Sequence, residues 1–201
     1  VPTLEVIEDV GPPVVLTRWA QFAARVREVP EDGLLAPAVR GFFEAGGRRC
    51  VVLTATASRG PAGLAEAIGG LDDSGDVDLV SAPDLLAASG PTASAELVAA
   101  QTELVRRCGG AQRCMVLLDA PAGLAAALAH ATALRAAIVA INPRLLRDAA
   151  LYFPWVRAPG GRFVPPSGHI AGTIADLDAR EGPQRPPAGV EIGRASCRER
   201  V

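Results

Sequence analysis

PPSGHIAG (165–172), inside FVPPSGHIAGTIADLDA (163–179), sets two prolines, a serine and a glycine ahead of a histidine and then continues with apolar residues at helical spacing. Pro165 and Pro166 fix an extended approach, and Ser167 stands where a hydroxyl caps a following helix. Gly168, Ala171 and Gly172 leave one face of that helix without bulk, which predicts tight packing against a neighbouring element. In that setting His169 reads as a buried, hydrogen-bonded core residue.

Upstream, apolar runs and helical patterns alternate. TRWAQFAARVREV (17–29) places Thr17 at an N-cap and Trp19, Phe22, Ala23 and Val26 on one stripe until Pro30 stops the helix. A second helix follows Asp32, with Leu34/Leu35, Ala38/Val39 and Phe42/Phe43 recurring every four residues and Gly46-Gly47 releasing the chain. Gly41 inside it costs about 1 kcal/mol relative to alanine, which predicts close approach of another backbone. Arg40 beside that face reads as solvated or ion-paired.

RRCVVLTAT (48–56), VDLVSAP (77–83), RCMVLLDAP (113–121) and AALYFPWV (149–156) are short β-rich runs that read as strands, with Pro154 marking an edge or strand end. Between the second and third, Leu97, Val98, Gln101, Leu104, Val105 and Cys108 share a helix face. GLAAALAHATALRAA (123–137) reads as another helix, and IVAINPRLL (138–146) is open between helix end and short strand because Pro143 breaks either. The fold class expected is α/β, a mostly parallel sheet with helices on both faces, preceded by two helices. Asp119 falls at the C-terminal edge of its strand, where α/β proteins gather functional groups, or else it caps the helix that follows.

Composition narrows the function classes. Hydrophobic residues make up 49% and charged residues 21%, typical of a globular domain, and the formal charge of −2 supplies no basic field for nucleic acid or anionic lipid. Every one of the 20 basic residues is arginine, which with the heavy alanine use fits a GC-rich genome. The most apolar stretch, APAGLAAALAHATAL, lies between Asp119 and Arg135 and is shorter than the roughly 20 residues of a spanning helix, so no membrane segment is expected. Cys50, Cys108, Cys114 and Cys197 lack paired spacing, and with only His130 and His169 as imidazoles no metal site is expected. Reduced thiols are the default reading, although Cys108 and Cys114 flank one loop and could meet. The loop SRGPAGLAEAIGG (58–70) carries G-x-x-G but neither glycine-rich phosphate pattern, so it reads as a plain strand-to-helix turn and no cofactor is expected.

PPSGHIAG resembles the G-T-S-M-A-x-P-H-V-A-G signature around the nucleophile of subtilisin-type serine proteases. Five residues before His169, where that motif has its serine, this chain has Val164, which carries no hydroxyl to attack a carbonyl. Asp73-Ser74-Gly75 imitates the protease D-S-G, yet precedes a strand instead of ending one, and His130 lacks the glycine of an H-G-T-H motif. His130 therefore reads as a solvated or hydrogen-bonded histidine. Catalytic, cofactor-binding and metal-ligating residues are all expected to be none.

AVRGFFEAGGRRCVVL (38–53), DVDLVSAP (76–83), VLLDAPAG (116–123), AALYFPWV (149–156) and VPPSGHIAGTIADLDAREGPQRPPAG (164–189) look like successive blocks of the sheath proteins of contractile phage tails and contractile injection systems, in the family's order. INPRLLRDAA departs from that pattern. The resemblance implies a non-catalytic structural subunit that forms six-membered rings in a helical sheath around an inner tube protein, contacts a baseplate and a sheath terminator, and contracts to drive the tube through an envelope. It implies cytoplasmic assembly into a virion tail or injection particle, and no nucleotide. By this reading residues 1–47 are a truncated N-terminal part, 48–190 the subtilisin-like sheath domain, and EIGRASCRERV (191–201) the translation of a sequencing adapter. Without those eleven residues the balance is 17 basic against 20 acidic, and the electrostatic conclusion stands. The alternatives are an inactive or divergent subtilisin-like hydrolase and a nucleotide-binding α/β domain.

Overall fold

The computed structural model describes residues 13–25, 33–53, 77–89, 95–108 and 114–184. At its centre are three parallel strands, β3 (Leu79–Ser81), β4 (Met115–Asp119) and β5 (Ala149–Tyr152), in the spatial order β3-β4-β5. Val80 pairs with Val116 on one side of β4, and Leu117 pairs with Ala150 on the other. Val116, Leu117, Leu118 and Asp119 are all buried, as expected of a parallel strand covered on both faces.

Alternation along β4 sends Val116 and Leu118 to one face. There they meet Leu104 and Val105 of α4 (Ala95–Arg107), Leu134 and Ile138 of α5 (Leu124–Ile141), and Leu145. The opposite face receives α6 (Ser167–Glu181), which packs on β3 and β4. Of the two possibilities the sequence left for 138–146, helix end or short strand, the helix end is what forms: α5 runs to Ile141, and a 3-10 turn, Pro143–Asp148, follows. Asn142 leaves the helical region and its side chain accepts from Arg144 N at 3.0 Å, the local turn that asparagine favours.

α5 continues past Arg135, which bounded the most apolar stretch of the sequence, giving an 18-residue helix that is long and apolar enough, by length and composition, to cross a membrane. Its stripe Ala127, His130, Leu134 and Ile138 is committed to the interior of the α/β domain, while Leu124, Leu128, Val139 and Ile141 are exposed.

The first expected strand does not join the parallel ladder among the described residues. β2 (Cys50–Val52) instead pairs antiparallel with β1 (Val14–Leu16), Val15 opposite Val51. The reason is local: α1 (Trp19–Arg25) and α2 (Leu35–Glu44) fold back so that Leu16, Phe22, Ala36, Val39 and Val52 close a separate cluster, with Trp19 and Phe22 stacked 5.1 Å apart. The expected strand 149–156 is likewise divided. β5 stops before a cis Phe153–Pro154 peptide, and β6 (Val156–Arg157) pairs antiparallel with β7 (Phe163–Val164).

Helix α3 (Asp84–Ser89) supplies a long-range cap. The Asp84 carboxylate accepts from Leu34 N at 2.6 Å and Leu35 N at 3.0 Å, two of the N–H groups a helix start leaves unmatched. Thr17 does not cap α1 through its own oxygen. Its N–H and hydroxyl both donate to Gln21 Oε1, at 2.7 and 3.3 Å. Arg40 is ion-paired to Glu44 at 2.8 Å on the exposed side of α2, as its position suggested. Val26 and the segments 1–12, 54–76 and 185–201, with the D-S-G imitation, the G-x-x-G turn and Cys197, lie outside the described residues.

Candidate functional site

The segment 165–172 forms a joint between helices. Gly168 and Gly172, four apart on α6, face α2 so closely that a methyl group on the first would overlap the Ala38 carbonyl and one on the second the Phe42 carbonyl. Tight packing by small residues is therefore as the sequence indicated. Gly41 is close-packed too, but its neighbour is the His169 imidazole rather than a backbone. His169 is 5% exposed, its Nδ1 has no hydrogen-bond partner, and its carbonyl accepts from Thr173 Oγ1 at 2.9 Å. The expectation that His169 is buried holds, whereas a ring hydrogen bond is not formed at Nδ1. Burial pulls its pKa down, opposed by the Glu44 charge.

Ser167 occupies the first helical position, and Pro166 the cap position in front of it. Its hydroxyl does not cap α6. It donates to Asp119 Oδ2 at 2.5 Å, and Asp119 Oδ1 accepts from Ser167 N at 3.0 Å. Asp119 thus caps α6, forty-eight residues away in sequence, and not the helix that follows it. A third group, Ser81 Oγ, donates to Ser167 Oγ at 2.8 Å and ties the end of β3 to the same point.

The polar chain continues through the Asp119 main chain. Gln101 Nε2 donates to the Asp119 carbonyl at 3.0 Å, which fixes the amide orientation and leaves Gln101 Oε1 as acceptor for His130 Nε2 at 2.8 Å. His130 is then the Nε2–H tautomer, with Nδ1 a buried acceptor lacking a partner. The hydrogen-bonded reading of His130 holds, in an interior place. Five elements, β3, β4, α4, α5 and α6, meet in this one chain of side chains. The sequence put Gln101 on the right helix face, but no local signal revealed Ser81 as a member.

Electrostatically the chain is tense at one point. Burial raises the Asp119 carboxyl to about 6, the two bonds from Ser167 pulling the other way. The pKa of His130 is pushed down by burial. Chemically, Asp119 could accept a proton from Ser167, but Ser167 is 0% exposed, so no carbonyl carbon can approach its oxygen. Among the described residues neither imidazole is bonded to a hydroxyl, and no group of three or more His, Cys, Asp or Glu could hold a metal ion. Val164, standing where a subtilisin-type motif has its serine, is a buried side chain of β7.

In this α/β domain a carboxylate at the end of β4 fastens α6 to the sheet, and the serine bonded to it is sealed from solvent. Solved structures give this architecture its company. The fold matches a chain of the anti-feeding prophage (AFP) baseplate with TM-score 0.64 and 21% identity, over 92% of this chain and 47% of that one. It matches the AFP helical sheath in the contracted state with TM-score 0.62 and 19% identity, over 93% and 47%. A contracted PVC sheath complex of an extracellular contractile injection system matches with TM-score 0.60 and 20% identity, over 94% and 45%. The chain thus spans just under half the length of those chains and shares their fold over that span. No protein-family model and no curated protein sequence matches it.

Proposed function

We propose that this chain is the subtilisin-like portion of a structural sheath subunit in a contractile injection system or phage tail. The observation that carries the reading is the agreement of fold over more than nine-tenths of the chain with two contracted sheaths. The subunit assembles in six-membered rings stacked around an inner tube protein, bounded by a baseplate and a sheath terminator, and contracts to drive the tube through a target envelope. It assembles in the cytoplasm and then resides in the particle. Residues 48–190 form the sheath domain, 1–47 the N-terminal part of the subunit, and 191–201 are not native sequence.

The physical requirements of such a subunit support the reading. Open helical growth needs head-to-tail contacts, because a two-fold interface would close on itself. Contraction needs bodies that rotate without deforming while linking arms keep the lattice connected. The close α2–α6 contact and the buried Ser81–Ser167–Asp119–Gln101–His130 chain give the domain that rigidity. The subunit works without turnover: the energy of contraction is stored at assembly and no nucleotide is hydrolysed.

The test is to express the gene containing this segment and examine the product by sedimentation and negative-stain electron microscopy, alongside labelling with a fluorophosphonate serine reagent. Hollow helical tubes and no labelling are expected. A monodisperse product labelled at Ser167 would replace this reading with a hydrolase, and a thermal shift with ATP or NAD would replace it with a nucleotide-binding domain.

A further inference from the structure

Two cysteines lie away from the buried polar chain. Cys108 follows the last turn of α4 and Cys114 immediately precedes β4, with residues 109–113 between them in sequence. Both are free thiols, 0% and 2% exposed, in the cluster with Leu104, Val116, Leu134 and Ile138. Cys114 Sγ donates to the Cys108 carbonyl at 3.6 Å, so its sulfur is held over the end of the helix that carries Cys108.

We propose that Cys108 and Cys114 form a thiol–disulfide site that a low-molecular-weight disulfide, such as oxidised glutathione, closes into an intramolecular bond joining the end of α4 to the start of β4. The Cys114 thiolate attacks one sulfur of oxidised glutathione, whose S–S bond breaks. A mixed disulfide forms and one glutathione leaves as thiolate, taking up the proton Cys114 gave. The Cys108 thiolate then displaces the second glutathione, which is protonated in turn. The protein gives up two protons and two electrons, and one oxidised glutathione becomes two reduced ones.

Cys114 Sγ lies at the helix end that carries Cys108, and the interaction of the two thiols lowers the pKa of Cys114 and raises that of Cys108, burial raising both and the Asp148 and Asp78 charges resisting ionisation of Cys114. Cys114 is therefore the attacking sulfur and Cys108 the resolving one. Because both are buried among aliphatic side chains, reaction waits on local opening of this corner and favours small disulfides over large ones. Cys50, half-buried with its thiol pushed up to about 11, has no sulfur partner among the described residues and serves as the internal comparison.

The test equilibrates the folded 201-residue chain in glutathione buffers of graded ratio, quenches with acid, alkylates free thiols and digests with trypsin without reduction. Cleavage after Arg107 and Arg113 puts Cys108 in peptide 108–113 and Cys114 in peptide 114–135, so a disulfide joins two fragments that reduction separates. The joined species is expected to dominate, with an equilibrium constant for closure at least about tenfold larger in the native chain than in the same chain in guanidinium. Two results would overturn the proposal. One is recovery of both peptides only in alkylated or glutathione-bound form. The other is a native constant no larger than the unfolded one, which would show that proximity in sequence alone makes the bond.

Discussion

Replacing Asp119 by asparagine should remove a pH dependence that the wild-type interior imposes. The carboxylate sits in β4 beneath the α6 N-terminus, accepting from Ser167 N and Oγ, and burial carries it from an ordinary 3.8 to about 6. A carboxyl raised in the native state binds its proton more tightly there than when unfolded. Its contribution to stability is therefore complete below about pH 4 and is lost as pH rises through about 6. At about 1.4 kcal/mol for each factor of ten in the dissociation constant, the full loss is about 3 kcal/mol, of which about 2 falls between pH 4 and pH 7. The side-chain amide introduced by Asp119→Asn would keep an acceptor for Ser167 N, and its NH2 group can donate to Ser167 Oγ, which turns its own proton toward Ser81. Urea denaturation of wild type and Asp119→Asn at pH 4, 5, 6 and 7 isolates this group from the half-buried Asp84, whose pKa is also raised by burial. The variant should gain on wild type by about 2 kcal/mol across that range. A constant difference, or one that moves toward wild type as pH rises, would refute the assignment of a strained carboxylate at this joint.

Three further perturbations follow from the same contacts. Gly172→Ala sets a methyl group against the Phe42 carbonyl, so α2 and α6 must separate, and a loss of about 1–3 kcal/mol is expected by denaturant titration, against near-neutrality if the contact is loose. Asp84→Ala strips the Leu34 and Leu35 N–H groups of their acceptor and should cost about 1–2 kcal/mol, with Asp84→Asn recovering part of it; equal losses in the two would show that the carboxyl's bonds to α2 do not matter. Gln101→Leu leaves the Asp119 carbonyl and His130 Nε2 buried without partners and should cost about 2–4 kcal/mol; calorimetry showing no change in melting temperature would mean the chain of side chains contributes nothing to stability.

What the sequence made legible is what depends on neighbours along the chain. The four-residue recurrence of Leu34/Leu35, Ala38/Val39 and Phe42/Phe43 is α2, because helical periodicity is a local geometric fact. Gly168 and Gly172 announced a close approach, since nothing else explains two glycines at helical spacing in one face. Illegible were the pairings across long separations. Sequence adjacency nominates Asp119 as the cap of α5, but the chain runs on through Ala120, Pro121 and Ala122 to Gly123, whose φ of +94° turns it away, and the carboxylate meets α6 instead. Asp84 serving α2 across some fifty residues, and β2 choosing β1 over the parallel ladder, are of the same kind. A strand as short as Cys50–Val52 carries too little pattern to specify which edge it will join.

The glycine contact between α2 and α6 joins residues 35–44 to residues 167–181 backbone to backbone at Gly168 and Gly172, with the His169 imidazole set against Gly41. Such a splice has little give, and α6 is bonded at its start to the ends of β3 and β4, so a twist entering at Leu35 is taken up by two helices and two strand ends together. Torque applied to either helix therefore turns the body as one piece, as a shaft turns the hub it is keyed to.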